Sequence, residues 1–232
     1  MRLRTNSLLT YGWRVIKFLL LLGLLLAPQS AMLIPQYLKD PLIPRDVLMW
    51  LLFLITYAIV IVVFVWQFRK AAPDEKILKK FSAVDFNAVL AGIFLMFLVK
   101  YAYAILVAQT LETQNDAAIR DMFSISTNMA VMMTLMTAVF APLCEEILFR
   151  GIFMGYFFPR DKVFAVFFSG LIFGLVHFHS GDIFLTLLLY CSLGWILAYY
   201  YNKTNNLFVT ITIHFLNNFL PAVIMLYSSL AH

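Results

Sequence analysis

The sequence predicts an all-α, polytopic transmembrane helical bundle with about seven spans. The first observation is composition: 63% of the 232 residues are hydrophobic and only 12% are charged. Soluble domains are about half apolar and about a quarter charged, so a soluble globule of this composition would expose too much apolar surface to water. The second observation is that apolar residues occur in stretches of about 20, the length of a membrane-spanning helix. We therefore expect one membrane domain over residues 1–232.

Seven apolar stretches qualify as spans, with six or eight as alternatives because two of the stretches are short. In chain order they are 16–35, 47–68, 86–110, 123–154, 162–178, 183–200 and 206–229. The fourth exceeds a single crossing, so we expect its first turns at the interface or a break near Asn128. Only residues 179–182 separate the short fifth and sixth spans.

Basic residues flank these spans unequally, which predicts the orientation. If the N-terminus is cytoplasmic, the outside segments hold only Lys39, Arg45 and Arg120. The inside segments then hold Arg2, Arg4, Arg14, Lys17, Arg69, Lys70, Lys76, Lys79, Lys80, Arg160, Lys162 and Lys203. The positive-inside rule therefore predicts a cytoplasmic N-terminus. The same clustering explains the net charge of +5 without a nucleic-acid partner.

The first span has a competing interpretation as a secretory signal peptide. Basic residues precede the apolar run Phe18–Ala27, and small residues follow at Ser30 and Ala31. The apolar character resumes at Met32–Ile34 and six further spans follow, so an uncleaved membrane anchor is favoured.

Charged residues within the spans carry the functional information, since each costs about 2.5–3.5 kcal/mol on insertion scales. The first group is Glu145, Glu146 and Arg150, late in the fourth span. Glu146 and Arg150 are four residues apart, so they share a helix face and are expected to form an ion pair. Glu145 is rotated about 100° from Glu146, which leaves it to face a cavity as a general base. The alternative is a purely structural network that packs helices together.

Two further polar groups lie on later spans. Phe173 and His177 share a face at the end of the fifth span, where the phenyl ring can pack against the imidazole. His214 and Asn218 share a face in the seventh span, and both can donate hydrogen bonds to an oxyanion or a metal-bound water. Asn217 is expected to turn away and contact a neighbouring helix. Interhelical hydrogen bonding is the alternative role for these groups.

The three groups are predicted to meet. A short basic turn joins spans four and five, so these spans run antiparallel. With a rise of 1.5 Å per residue, Glu145 and His177 both lie roughly 20–24 Å from that turn. His214 and Asn218 lie roughly 15–21 Å beyond the turn that precedes span seven. We therefore expect a carboxylate, two imidazoles and an amide at a similar depth in one bundle.

Lys100, central in the third span, is the remaining charge inside the membrane. It can pair with a carboxylate, snorkel to the interface or line a cavity. The sequence leaves these three roles open.

In this order the three groups resemble the motifs of the CPBP family. The matching residues are Glu145-Glu146-x-x-x-Arg150, Phe173-x-x-x-His177 and His214-x-x-x-Asn218. That family includes type II CAAX prenyl endopeptidases and bacterial bacteriocin-processing or self-immunity proteins. The resemblance covers about residues 123–229, expected to be the catalytic core, whereas the N-terminal spans in 1–122 match only in being hydrophobic.

The resemblance implies an intramembrane endopeptidase that hydrolyses a peptide bond in a membrane-associated or lipidated, CAAX-like peptide. By similarity, Glu145 and His177 would activate the attacking water, and His214 and Asn218 would stabilise the oxyanion. Structural support for the site would come from Glu146, Arg150 and Phe173. The partners would be that peptide and the lipid bilayer, with no nucleic acid. The protein would be a multi-pass protein of a bacterial cell membrane, and its oligomeric state is left open.

Two mechanisms remain for the attacking water. Glu145, His177 and His214 could supply a three-ligand zinc site with an open position. A mechanism without a cofactor, in which Glu145 acts directly as base, is favoured. The reason is that Asn218, four residues after His214, is a poor zinc ligand but a good oxyanion donor.

Two other classes of function compete with a protease. In a non-catalytic immunity or binding protein of the membrane, the buried polar cluster would be structural. In a proton-coupled transporter, the glutamate and histidines would form a proton relay. The sequence shows neither an inverted repeat nor paired broken helices, which favours the protease.

Overall fold

A computed structural model describes residues 5–39, 41–107 and 113–231. These ranges contain helices and connecting turns without a β-strand, so the predicted all-α fold is confirmed. Arg2 and Arg4, which entered the orientation argument, and positions 108–110 of the third predicted span lie outside the described residues.

Nine helices form the described part of the chain. They are α1 (Thr5–Leu25), α2 (Ala27–Leu33), α3 (Arg45–Ala71), α4 (Ala83–Val107), α5 (Gln114–Phe123), α6 (Thr127–Phe157), α7 (Lys162–His177), α8 (Phe184–Thr204) and α9 (Leu207–Leu230). A 3-10 turn, Ile34–Tyr37, extends α2, and α6 contains two π-helical segments, Met136–Phe140 and Ile147–Phe153.

Six segments are long and apolar enough to cross a membrane: Leu9–Tyr37, α3, α4, α6, α8 and α9. Helix α7 is apolar but has only 16 residues, about 24 Å of helix, against a hydrocarbon core of about 30 Å. The expectation of a polytopic bundle of about seven spans is therefore met by six long helices and one short one.

The fourth predicted span begins later than expected. Positions 123–154 are predicted as one span whose first turns lie at the interface or break near Asn128; the chain does break close to Asn128, with a turn at 124–126 before α6 starts at Thr127. The cause is Ser126, whose side chain accepts a hydrogen bond from the backbone N–H of Met129 and so caps the helix. The preceding residues form the separate helix α5.

Helix α6 is the buried centre of the bundle. Helices α1, α3 and α9 pack around it, and the side chains from Glu146 to Arg150 have no exposed surface. Arg14 of α1 donates a hydrogen bond to the backbone carbonyl of Tyr156, at 2.5 Å, which holds the first span against the end of α6. The charged residues of α6 are therefore shielded from both water and lipid.

Helices α7 and α8 form a tight antiparallel pair through glycines. A Cβ atom added at Gly194 would lie 2.9 Å from the Cα of Gly170, and one added at Gly174 would collide with Cys191. Small residues of this kind let helix backbones approach closely in membranes. This close approach fixes the position of α7, which carries Phe173 and His177, relative to α8.

Candidate active site

The two acidic residues of α6 lie between its π-helical segments. The α-helical turn Ala141–Glu146 carries both, and the segment Ile147–Phe153 follows directly. Single π turns inside α-helices are rare, and a large share of those that exist lie at functional sites. The local widening of α6 thus coincides with the position of Glu145 and Glu146.

A buried ionic network supports the site. The Arg150 Nη1 atom lies 3.1 Å from the Glu146 Oε1 atom, so the predicted ion pair forms, with both side chains fully buried. Arg150 also donates a hydrogen bond from Nη2 to the carbonyl of Gly194, at 2.9 Å. The guanidinium therefore joins α6 to α8 while it compensates the charge of Glu146.

Phe173 connects this network to the first histidine. Its ring centroid lies 4.8 Å from the guanidinium carbon of Arg150 and 4.4 Å from the imidazole centroid of His177. The imidazole is stacked on the ring, as the spacing of Phe173 and His177 predicted. Contacts with a cation and with an imidazole thus hold the phenyl ring in place.

His177 has a defined tautomer. Its Nδ1–H donates a hydrogen bond to the carbonyl of Phe173 at 2.8 Å, because a carbonyl can only accept. The neutral imidazole therefore carries its lone pair on Nε2. Tyr190 of α8 also stacks on the imidazole, with ring centroids 5.1 Å apart, so two aromatic rings contact His177.

Glu145 lies between the two imidazoles. Its Oε2 atom is 3.9 Å from Nε2 of His177 and 3.9 Å from Nε2 of His214. That oxygen is buried and has no hydrogen-bond partner among the residues that the structure describes. The predicted meeting of the carboxylate with both histidines is therefore observed.

His214 is oriented by the second carboxylate. Its Nδ1–H donates to Glu146 Oε1 at 3.0 Å, which leaves Nε2 directed toward Glu145. Glu146 thus binds both Arg150 and His214. The two adjacent glutamates have different surroundings: Glu146 binds two neighbours through Oε1, whereas the Oε2 atom of Glu145 lies near both imidazoles at 3.9 Å without a hydrogen bond.

Asn218 and Asn217 complete the polar wall. Asn218 donates from Nδ2 to the carbonyl of Thr137 at 3.0 Å and accepts from Asn217 Nδ2 at 2.7 Å. The expectation that Asn217 turns away to a neighbouring helix is wrong, since it lines the same cavity as Asn218. The hydrogen bond between the two amides turns the Asn217 side chain to that side.

A cavity of about 440 Å³ adjoins these groups. Its lining residues come from six helices: Met96, Lys100, Tyr103, Asn115, Asp116, Ile119, Thr137, Phe173, His177, Leu189, Tyr190, Leu193, His214, Asn217, Asn218, Pro221, Ala222 and Met225. Glu145 is not among them. Its carboxylate lies 3.9 Å from the imidazoles of His177 and His214, which do line the cavity, and its side chain is partly exposed. Of the three roles open to Lys100, the structure supports cavity lining.

Helix α5 covers one side of this cavity. The Asp182 carboxylate accepts hydrogen bonds from the backbone N–H groups of Gln114, at 3.0 Å, and His179, at 2.9 Å. The Tyr190 hydroxyl bonds to Thr113, at 2.8 Å, beside the start of α5. No sequence pattern indicates a role for Tyr190 or α5, because both reach the site only through contacts between helices.

A three-ligand zinc ion would use Glu145, His177 and His214. Tetrahedral coordination with bonds of about 2.0–2.1 Å places ligand atoms about 3.4 Å apart. Both carboxylate–imidazole distances are 3.9 Å, and no group of three His, Cys, Asp or Glu in the described ranges is arranged to hold a metal. The donor set has the right chemistry for zinc, but its arrangement does not match that geometry.

The segment that carries all three motifs matches a family model. Residues 127–220 match the family described as "Type II CAAX prenyl endopeptidase Rce1-like". A curated relative, "Putative membrane peptidase YdiL" of Bacillus subtilis (strain 168), is 31% identical over 116 residues, which are 50% of this chain and 44% of that protein. The match thus spans less than half of the relative's length. No solved structure matches this chain.

Proposed function

We propose that this chain is an intramembrane endopeptidase of the CPBP family. Its residues 127–220 match the Rce1-like model. That match and the similarity to a membrane peptidase support the family that the three motifs resemble. The observation that carries the proposal is the approach of Glu145 Oε2 to within 3.9 Å of two imidazole nitrogens, beside a cavity enclosed by apolar helices.

Glu145 and His177 would activate the attacking water. A distance of 3.9 Å is too long for a direct hydrogen bond, but a water can bond to both acceptors at about 2.8 Å each. The tautomer of His177 leaves Nε2 unprotonated, so two bases face the same water. A general base of this kind accelerates hydrolysis by a factor of about 10²–10⁴.

His214 and Asn218 would stabilise the tetrahedral oxyanion. Glu146 accepts from Nδ1–H of His214, which holds the ring so that its Nε2 atom points toward Glu145; a proton taken up at Nε2 during the reaction would make it a donor to the oxyanion. Asn218 uses one of its two amide hydrogens on Thr137 and retains the other. One charged donor and one neutral donor would thus act on the developing negative charge.

The substrate in this proposal is a membrane-associated or lipidated, CAAX-like peptide. The site lies within the spanning helices, and most of its cavity wall is apolar. Apolar peptide side chains or a lipid group would be favourable occupants of such a wall. The proposed mechanism is glutamate-dependent, and the carboxylate–imidazole distances of 3.9 Å support it, because they exceed the separation of about 3.4 Å between ligand atoms of a tetrahedral zinc site.

The test is peptide release by protein reconstituted in vesicles. The probes are internally quenched peptides that end in a farnesylated Cys-aliphatic-aliphatic-X sequence, and membrane-anchored peptides without prenylation. Glu145→Gln should abolish cleavage, whereas Asp74→Asn, an exposed carboxylate of the loop between α3 and α4, should cleave like wild type. Equal cleavage by wild type and Glu145→Gln would contradict the proposal.

A further inference from the structure

One end of the helical bundle collects most of the basic residues. A pocket of about 90 Å³ at this end is lined by Ala72 after α3, Lys162 at the start of α7 and Asn202 near the end of α8. The loop before α4 reaches the same end, because Lys79 donates a hydrogen bond to the carbonyl of Asn205, between α8 and α9. We call it the basic end. Its described basic residues are Arg14, Lys17, Arg69, Lys70, Lys76, Lys79, Lys80, Arg160, Lys162 and Lys203.

Helix α5 lies at the opposite end, which we call the α5 end. Asp182, between α7 and α8, accepts a hydrogen bond from the backbone N–H of Gln114, the first residue of α5. Ser229, near the end of α9, donates a hydrogen bond to the carbonyl of Phe123, the last residue of α5, at 2.8 Å. The described basic residues at this end are Lys39, Arg45 and Arg120. The positive-inside rule therefore predicts that the α5 end faces the outside of the cell.

The active-site cavity belongs to the half of the bundle near the α5 end. Helices α4, α7 and α9 run from the basic end to the α5 end, and the first lining residue on each is Met96, Phe173 and His214. These residues lie roughly 20, 17 and 11 Å beyond the starts of their helices, with 1.5 Å per residue. Asn115 and Asp116 of α5 line the cavity as well. The cavity thus extends from the catalytic groups to the predicted outer side.

The other half of the bundle is densely packed. Between Glu145 and the basic end, the side chains at positions 147–150 and Ile152 of α6 have no exposed surface. Helix α3 packs so closely on α6 that a Cβ atom added at Gly155 would lie 2.8 Å from the carbonyl oxygen of Ala71. The pocket at the basic end shares no described lining residue with the active-site cavity. This packing separates the catalytic groups from the basic end.

His177 lies close to the predicted outer surface of the membrane. It is the last residue of α7, which begins at Lys162 at the basic end and has 16 residues, roughly 24 Å of helix. The hydrocarbon core is about 30 Å thick, so His177 lies roughly 6 Å below its outer boundary when Lys162 lies at the inner one. An extended peptide spans about 3.3 Å per residue, so a bond beside His177 is about two residues from that boundary.

We propose that the substrate enters the cavity from the outer side of the membrane and is an exported peptide anchored in the outer leaflet. The bond to be cleaved then lies about two residues below the outer boundary of the hydrocarbon core. A lipidated tail on the cytoplasmic side would be separated from Glu145 by the densely packed half of the bundle. This inference rests on the proposed peptidase function and narrows its substrate class.

The test is labelling of single introduced cysteines from each side of the membrane, which requires no substrate. Thr137→Cys places a thiol in the cavity, roughly 15 Å along α6 from the α5 end, and Met225→Cys provides a second lining position. Asn202→Cys, in the pocket at the basic end, is the matched control, because all three side chains are partly exposed. The parent protein, in which Cys144 and Cys191 are buried, gives the background.

A membrane-impermeant thiol reagent should label both cavity positions in spheroplasts and the control position only in inverted vesicles. Labelling of the cavity cysteines only in inverted vesicles would overturn the inference. Labelling from neither side would also overturn it, because the cavity would then be closed to the outer solution.

A second experiment separates the route of entry from the proposed function. The probe is a palmitoylated, internally quenched peptide with a charged head, added to spheroplasts or to inverted vesicles, and Glu145→Gln protein gives the background. Cleavage in spheroplasts alone is expected, whereas cleavage in inverted vesicles alone would overturn the inference. Labelling of the cavity from outside, without cleavage on either side, would support the outer route and contradict the peptidase.

Discussion

His214 donates a hydrogen bond from Nδ1 to Glu146 Oε1 at 3.0 Å, and both side chains are buried. The same carboxylate lies 3.1 Å from the guanidinium of Arg150. The second glutamate of the pair is therefore an anchor that orients an imidazole and balances a buried cation. The Oε2 atoms of both glutamates lack a hydrogen-bond partner within the described chain, but of the two only Glu146 binds Arg150 and His214, through its Oε1 atom. This division of roles leads to predictions that separate stability from activity.

Glu146→Gln is expected to destabilise the protein, whereas Glu145→Gln is not. Removing one partner of a buried ion pair leaves an uncompensated charge and typically costs about 3–5 kcal/mol. Thermal unfolding in detergent should therefore show a lower midpoint for Glu146→Gln than for Glu145→Gln. If the two variants unfold at the same temperature, Glu146 does not anchor the site.

Gly194→Ala is expected to separate α7 from α8. The new Cβ would lie 2.9 Å from both the Cα and the carbonyl oxygen of Gly170, atoms that cannot move as a flexible side chain does. Overpacking of this kind costs about 1–3 kcal/mol, and it would also displace Phe173 and His177. Gly23→Ala in α1 is the matched control, because nothing lies within 4 Å of its added Cβ. Equal stability and equal peptide cleavage in both variants would show that the close glycine packing is unimportant.

Tyr190 is expected to act mainly through its ring. Tyr190→Phe keeps the stacking on His177 and loses the hydroxyl bonds to Thr113 and Asn115, so kcat should stay within about tenfold of wild type. Tyr190→Leu removes the stacking and allows the imidazole to move, which should lower kcat by about 10- to 100-fold. Steady-state kinetics measure both values. A larger loss in the Phe variant than in the Leu variant would assign the role to the hydroxyl group.

The N-terminus is predicted to face the cytoplasm. Single cysteines introduced at Lys76 and at Lys39 should lie on opposite sides of the membrane, since one belongs to the inside loops and the other to an outside loop. The native Cys144 and Cys191 are buried, so they are poor targets for a polar reagent. In intact cells, a membrane-impermeant thiol reagent should label position 39 and not position 76. Labelling only at position 76 would reverse the orientation.

Part of this site could be predicted from the sequence because helical spacing determines which residues share a face. The four-residue separation of Glu146 and Arg150 predicted their ion pair, and that of Phe173 and His177 predicted their stacking. The fold class followed from composition and from the length of the apolar stretches. The number of spans was less certain, since α7 has only 16 residues.

Features that depend on contacts between helices could not be predicted in this way. Asn217 lines the cavity because its amide donates a hydrogen bond to Asn218. A helical projection of one span shows which residues share a face, but it does not show such side-chain hydrogen bonds. Tyr190 reaches His177 only because α7 and α8 pack through glycines. The π segments on either side of the two glutamates have no recognisable signature in the sequence.

We expect Glu145 to activate the water for peptide hydrolysis without a metal. The most direct test measures the cleavage rate and the metal content in one preparation of chelator-treated protein, for wild type and Glu145→Gln. The account predicts that metal-depleted wild type keeps its rate and that Glu145→Gln is slower by about 10²–10⁴. Loss of wild-type cleavage on depletion, with recovery when zinc is added back, would contradict the account. So would unchanged cleavage by Glu145→Gln.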